Sequence, residues 1–315
     1  MSGSEMNVVR RSSPAAAGYD HHWFPYTPLP QRPVKPFGQA GLALSVIIDV
    51  RAAEWEDALP AVEVPGGRGQ APYPDYPRMS HREFGHRAGL FRLAGILRKA
   101  GVPWAAAVDV LTAEHYPRVL SLLQEEASEI LAGGLSGSRA ITSRMSEPEE
   151  EHYIAQTLER LECALGTRPQ GWMSPQGSQS FRTPAILARH GVGYMADWAN
   201  DEQPYAVTGA DGQATGAGGL WSLPVSWELS DAASMFVRGV GPAAYVRAVL
   251  DAVDVLAEDS NRSPRTLCLH LHPWISGEPF RARAIRELVA QLASHPGVWW
   301  APPGVIVERG RSAQR

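Results

Sequence analysis

Cysteine is nearly absent from this 315-residue chain: Cys163 and Cys268 are the only two, too few for a disulfide framework or a zinc ribbon. Excess positive charge is absent too. The formal net charge is -4, which gives no electrostatic basis for binding nucleic acid or an anionic membrane. No window stays apolar for the length of a membrane span. Met1 to Gly18 carries Arg10 and Arg11 but no apolar core of a secretory signal. The expectation from these absences is a cytoplasmic protein whose partner is a small-molecule substrate, with no nucleic acid and no membrane.

What is present is the composition of a folded chain, 44% apolar and 20% charged, at a length that one large α/β barrel can fill. Residues 1–18 are rich in Ser, Ala and Gly and are expected to be a disordered tail. Residues 19–40 are dense in aromatics and proline, cannot form a helix, and are expected to pack as an extended arm on the body or on a partner subunit.

From residue 41 the pattern alternates between strand and helix. Leu42 to Val50 is a near-continuous apolar run, the mark of a strand covered on both faces. A helix is expected over 83–100, with Leu90, Leu93, Ala94 and Leu97 as its stripe and Gly101 at its C-cap. Strands follow at 103–109 and 129–132, with a helix from Pro117 between them. Ser146 and Glu149 have capping-box spacing for a helix that Gly166 stops. Further strands are expected at 170–175, 192–197, 220–225, 266–272 and from 297, with helices from Thr183, over 241–259 and over 281–294, and a Gly-rich loop or hairpin at 205–219. About seven repeats without a composition break predict an α/β fold, a single-domain (β/α) TIM-like barrel over 41–305, with 306–315 as a tail.

Asp49, Asp109, Ser174, Asp197 and His272 each fall at the C-terminal end of a predicted strand, where such barrels build their active sites. His270 and His272 share one face of their strand, because side chains alternate with a period of two, and Pro273 ends the ladder.

Several motifs resemble the polysaccharide deacetylase superfamily, and within it the allantoinase-like branch. Arg82-Glu83-Phe84-Gly85-His86-Arg87-Ala88-Gly89-Leu90-Phe91-Arg92 is close to that branch's Arg-Glu-Tyr-Gly-Asn-Arg-x-Gly-x-x-Arg. Arg168 to Trp172 with Ser174-Pro175, Tyr194 to Tyr205, Leu223 to Asp231, and Leu271-His272-Pro273 with Gly277 and Pro279 are also similar. The resemblance spans about residues 19–305. It implies a distorted (β/α) barrel, hydrolysis of carbon–nitrogen bonds other than peptide bonds, and a homo-oligomer, a dimer or tetramer.

The departures from that pattern matter as much. Metal-dependent members use an Asp on strand one and a His-x-x-x-His pair after strand three. By the resemblance those positions are Arg51, Gly133 and Gly137 here. Glycine offers no side-chain ligand where a catalytic zinc needs three, so no metal and no cofactor is expected. Asp49, which aligns with the family's general base, and His272 are then the expected base and acid. Arg51 or Arg87 is a candidate to hold a carboxylate or an oxyanion, and Asp197 or Asp201 to orient the imidazole. Glu83, Glu228 and Asp231 are further candidate pocket acids, and Trp172, with Trp198 and Trp227, a candidate wall for a flat ring. Each has a structural alternative: a cap for Asp201, an i,i+4 pair for Glu83 and Arg87, a turn for Asp231, core packing for the tryptophans. His270 replaces the small residue usual in the branch. The leading expectation is a metal-independent hydrolase of a small cyclic amide, ureide or N-acyl compound. A lyase or isomerase of a specialised pathway, and a non-catalytic ligand-binding relative, are the alternatives.

Overall fold

A computed structural model describes residues 23–24, 27–31, 40–55, 75–208 and 219–313. The predicted tail at 1–18, most of the predicted arm and much of the loop at 205–219 lie outside the described residues. Within the arm, Trp23 and Phe24 pack on Trp198 at ring-centroid distances of 5.9 and 5.6 Å.

Among the described residues nine strands form one sheet: β1 (Leu42–Asp49), β2 (Ala105–Val108), β3 (Glu129–Ala132), β4 (Gly171–Trp172), β5 (Tyr194–Met195), β6 (Tyr205–Ala206), β7 (Trp221–Ser222), β8 (Arg265–Leu271) and β9 (Val298–Trp300). Their order is β6-β7-β5-β4-β3-β2-β1-β8, with β9 also on β1. All pairs are parallel except β6–β7. β2 pairs with the C-terminal end of β1 and β9 with its N-terminal end. The sheet curls until Thr266 N, in β8, donates to Glu202 O at 2.7 Å, so irregular backbone rather than a strand pair brings its two ends together. This is the distorted (β/α) barrel expected from the sequence.

The outer helices are α1 (Tyr76–Phe84), α2 (Leu90–Ala100), α3 (Val110–His115), α4 (Pro117–Glu126), α5 (Glu147–Leu165), α6 (Thr183–Arg189), α7 (Pro242–Asp259), α8 (Pro273–Ser276), α9 (Pro279–Ala293) and α10 (Pro303–Ala313). Strand parity divides the core. Leu42, Leu44, Val46 and Ile48 join Leu267, Leu269 and Leu271 in the cluster under the helices. Ala43 and Ile47 join Ala105, Ala107, Leu131 and Cys268 in the other, inside the curl. The same parity turns Asp49 and His270 inward, which is what delivers them to one site.

Four differences from the expected elements have physical reasons. The helix placed at 83–100 begins at Tyr76, where the Asp75 side chain accepts from Arg78 N at 3.2 Å, and passes through a π-helical turn at Gly85–Gly89. That turn lies against α8: a Cβ on Gly89 would stand 2.0 Å from Pro273 O, so the motif's glycine permits close backbone approach beside the His-Pro corner. Beyond Pro273 the chain turns into α8 rather than a loop, with proline at the first helical position. Of the residues expected as a tail from 306, those to Ala313 belong to α10, and Ile306 and Val307 join the inner cluster. Finally, the strands predicted at 170–175, 192–197 and 220–225 have only two ladder residues each. No helix among the described residues is long and apolar enough to cross a membrane.

Candidate active site

The C-terminal ends of β1, β4, β5 and β8 surround a cavity of about 360 Å³, lined by Asp49, Arg51, Ser174, Asp197, His270 and His272 among others. Its centre is the Asp49 carboxylate. His270 Nε2 lies 3.2 Å and His272 Nε2 3.4 Å from Asp49 Oδ2, and the two rings are 4.5 Å apart. Arg51 Nε donates to Asp49 Oδ1 at 2.8 Å, and Arg51 Nη2 pairs with Oδ2. Burial pushes this carboxyl up, but the Arg51 charge and the hydrogen bonds from Arg51 and both imidazoles overcome it and hold Asp49 well below the usual carboxylate range.

An ionised carboxylate only accepts hydrogen bonds, so the network assigns the ring protons. His270 carries its proton on Nε2, facing Asp49, and its Nδ1 is the basic nitrogen. His272 faces carboxylates on both sides: Nδ1 donates to Asp231 Oδ1 at 2.7 Å while Nε2 faces Asp49. Burial opposes its charge, yet the Asp231 charge and hydrogen bond, helped by Asp49, raise His272 to about 9. His270 moves the other way, pushed down by burial and then by the positive His272, with Asp49 offsetting only part. Two adjacent imidazoles thus hold different protonation states at neutral pH, one neutral and one cationic.

Asp231 stands behind this pair. Fully buried, it also accepts from His272 N at 2.8 Å and Ser276 Oγ at 2.6 Å. It orients His272 and does not face the substrate space. The expected orienting residue, Asp197, instead accepts from Ser174 N (2.7 Å), Ser174 Oγ (3.0 Å) and Gln179 Nε2 (2.5 Å). It lines the cavity without touching an imidazole, and burial raises it to about 6.

Other candidates lie elsewhere. Asp201 accepts from the backbone of Glu202 and Gln203 in a local turn. Glu83 accepts from Tyr116 Oη and lines a separate surface hollow with Arg87. Glu228 is exposed and pairs with Arg238. Trp172 is fully buried and donates to Ser174 Oγ, so it is core and not a ring platform. Trp227 does line the cavity. Missed by sequence reasoning were Arg78, Arg82 and Trp274, which also line it. The i,i+4 spacing of the two arginines was an available signal, and Arg82 opens the Arg-Glu-x-Gly motif itself.

The positions that the resemblance assigns to a metal do not fit one. Arg51 fills that space: a Cβ on Gly133 would meet Arg51 Cδ at 2.7 Å, and one on Gly137 would meet Arg51 Cβ at 3.2 Å. Arg51 Nη1 also donates to Met173 O at 3.1 Å and Ser174 O at 2.6 Å, fixing the guanidinium across the strand ends. Gly137 N instead serves Asp109, whose buried carboxylate collects it at 2.7 Å with Ala52 N at 2.9 Å and Thr112 N at 2.8 Å. Among the described residues one group, Asp49, His270 and His272, brings three possible ligand atoms within 4.8 Å of one another. Arg51 already engages both Asp49 oxygens, so a divalent ion there would have to displace a fixed cation. The donor types suit a divalent ion, but the Arg51 guanidinium stands against one.

Fold and site together define a (β/α)-barrel protein with a carboxylate–imidazole–guanidinium centre at its strand ends. No family model matches the chain. A Schizosaccharomyces pombe protein named as a polysaccharide deacetylase is 26% identical over 253 residues, covering 74% of this chain and 77% of that one. A crystal structure from Mycobacterium smegmatis with the same name is 26% identical and has a TM-score of 0.73, covering 90% and 94%. Puue allantoinase shares the fold at 21% identity and a TM-score of 0.73, covering 87% and 92%. The chain is similar to polysaccharide deacetylases in sequence and shares their fold.

Proposed function

We propose that this protein is a hydrolase of a non-peptide carbon–nitrogen bond in a small cyclic amide, ureide or N-acyl compound, working by imidazole acid–base chemistry without a metal. The observation that carries this reading is the pair of imidazoles 4.5 Å apart in one cavity, His272 backed by the buried Asp231 and His270 facing Asp49. Titratable neighbours whose surroundings push them apart are how one site supplies a base and an acid together. The names of the relatives, deacetylase and allantoinase, support the reaction class, and the cavity volume of about 360 Å³ suits a small molecule.

In this mechanism His270 Nδ1 takes a proton from water as the water oxygen attacks the carbonyl carbon. The oxyanion that forms is stabilised by the His272 imidazolium, with Arg51 as a nearby fixed cation. The leaving nitrogen receives the His272 Nε2 proton, which leaves its long 3.4 Å contact with Asp49 while Nδ1 stays on Asp231, as the C–N bond breaks, and proton exchange with water resets both rings. A positioned imidazole typically contributes about 10²–10⁴-fold to such a step. Asp49 is the hub and not the base assigned to it from sequence: an ionised carboxylate held this far below neutral pH has little affinity for a proton. Asp231 keeps His272 oriented and charged, as a buried carboxylate does behind a catalytic histidine.

The test is product analysis with a panel of small cyclic amides, ureides and N-acyl compounds, using His270→Ala and His272→Ala as controls. Water-dependent cleavage to an acid and an amine or ammonia, lost in both variants, supports the proposal. Products of elimination or isomerisation would move the assignment to a lyase or isomerase, and turnover that survives both substitutions would remove the imidazoles from the chemistry.

A further inference from the structure

Two cations in the cavity have no part in the acid–base chemistry. Arg78 and Arg82 lie one turn apart on α1 and both line the cavity. Arg82 Nε and Arg78 Nη2 are buried without a hydrogen-bond partner, and neither side chain forms an ion pair with a described residue. Among the described residues nothing accepts from these two nitrogens, and both half-buried side chains line one cavity, so their guanidinium forks can take an acceptor brought by a ligand.

The electrostatics agree. Burial, then the charges of Arg78 and Arg51, lower Arg82 to about 10. Asp75 offsets part of the charge on Arg78. The Asp49 charge within reach of Arg82 is already engaged by Arg51 and the imidazoles. The surroundings therefore disfavour the Arg82 charge unless an anion joins it. Arg82 is also held in place: its guanidinium lies 5.0 Å over the Trp274 ring, which is 6.1 Å from the ring of His272. One indole separates the unpartnered cation from the catalytic imidazole, a separation that a small molecule spans.

We propose that the substrate is an anion whose carboxylate or phosphate group is bound by Arg78 and Arg82 while its C–N bond lies at His270 and His272. The placement of the bond rests on the hydrolase reading, whereas the anion site rests on the two arginines alone. Guanidinium stacked on an aromatic face presents its fork ready to bind, so little ordering is needed when the oxyanion arrives.

Calorimetric titration with N-acetylglycine, its neutral amide N-acetylglycinamide, and N-acetyl-2-aminoethyl phosphate tests this on the full chain. One of the two anions is expected to bind at least about 10-fold more tightly than the amide, as a charge-assisted hydrogen bond implies, and the tighter one decides between carboxylate and phosphate. Arg82→Met should abolish that preference, and Arg82→Lys should keep part of it by retaining the charge without the fork. Thermal midpoints verify that both variants fold. In Arg78→Met the preference should weaken. Equal affinity for all three probes, binding by neither anion, or a preference that survives Arg82→Met in a folded protein would overturn the proposal. Anion preference without turnover of any C–N bond would remove the hydrolase reading and leave the anion site. Turnover of neutral compounds without anion preference would do the reverse.

Discussion

Replacing Asp231 with asparagine isolates the electrostatic device behind His272. The substitution preserves shape but leaves one acceptor oxygen where a buried carboxylate now accepts from His272 N, His272 Nδ1 and Ser276 Oγ. His272 is raised from its ordinary 6.5 to about 9, with Asp231 the main cause opposing burial. A folded-state value above the unfolded one contributes stability that is fully present below pH 6.5 and lost as pH rises through about 9. At roughly 1.4 kcal/mol per unit the contribution is on the order of 3 kcal/mol. His272 is only 15% exposed, so solvent screens little of it. Asp231→Asn is therefore expected to lower stability by about 4 kcal/mol at pH 6, and by only about 1 kcal/mol at pH 10, where His272 is neutral in either protein and only hydrogen bonds differ. Urea unfolding of both proteins at the two pH values measures the difference, and the ring-proton titration of His272 by NMR should move toward or below 6.5 in the variant. An equal loss at pH 6 and pH 10, or an unmoved titration, would refute the reasoning.

Other outcomes follow from the same geometry. Gly133→Ala brings a Cβ within 2.7 Å of Arg51 Cδ and 2.9 Å of Val108 O, and should cost about 1–3 kcal/mol as overpacking does. In an Arg51→Ala background the cost should shrink by more than about 0.5 kcal/mol, a coupling that a double-mutant cycle of unfolding free energies reads directly. Arg51→Met leaves Asp49 buried beside two imidazoles without its main counter-charge, and should lower unfolding free energy by about 3–5 kcal/mol; a loss under about 1 kcal/mol would mean the pair is not the buried link it resembles. The pH profile of kcat/KM should be bell-shaped, rising through a value below 6.5 as His270 becomes a free base and falling through about 9 as His272 loses its proton. A profile without the alkaline limb would remove His272 as the acid.

Much of this was legible in the sequence where burial on both faces leaves a continuous signal. β1 and β8 stand within a residue or two of their expected bounds, and strand parity places His270 and His272 on one face, to which the β1–β8 register then brings Asp49. The two-residue strands β4 to β7 carry no such signal, because neighbouring strands set their pairing. Starting the first helix at Glu83 instead of Tyr76 left both Arg78 and Arg82 outside it and hid their one-turn spacing. Loop and helix residues were placed least well: sequence spacing does not tell that Glu83 and Arg87 face a different hollow, or that Glu228 turns outward to Arg238. Asp231 was found by its motif, but only the packing of the turn before α7 against α8 reveals that it lies behind His272 and not in front of it. The loss of side chains at Gly133 and Gly137 was visible at once. That those glycines make room for Arg51 needed three dimensions.

The most direct test of the central claim is the turnover of a small carbon–nitrogen substrate by protein stripped of metal with a chelator and then resupplied with zinc. With Arg51 fixed on Asp49 and the acid–base pair built from His270 and His272, kcat/KM should be the same before stripping, after stripping and after zinc is returned. Activity lost on stripping and regained with zinc would contradict it, and would make Asp49, His270 and His272 a metal site.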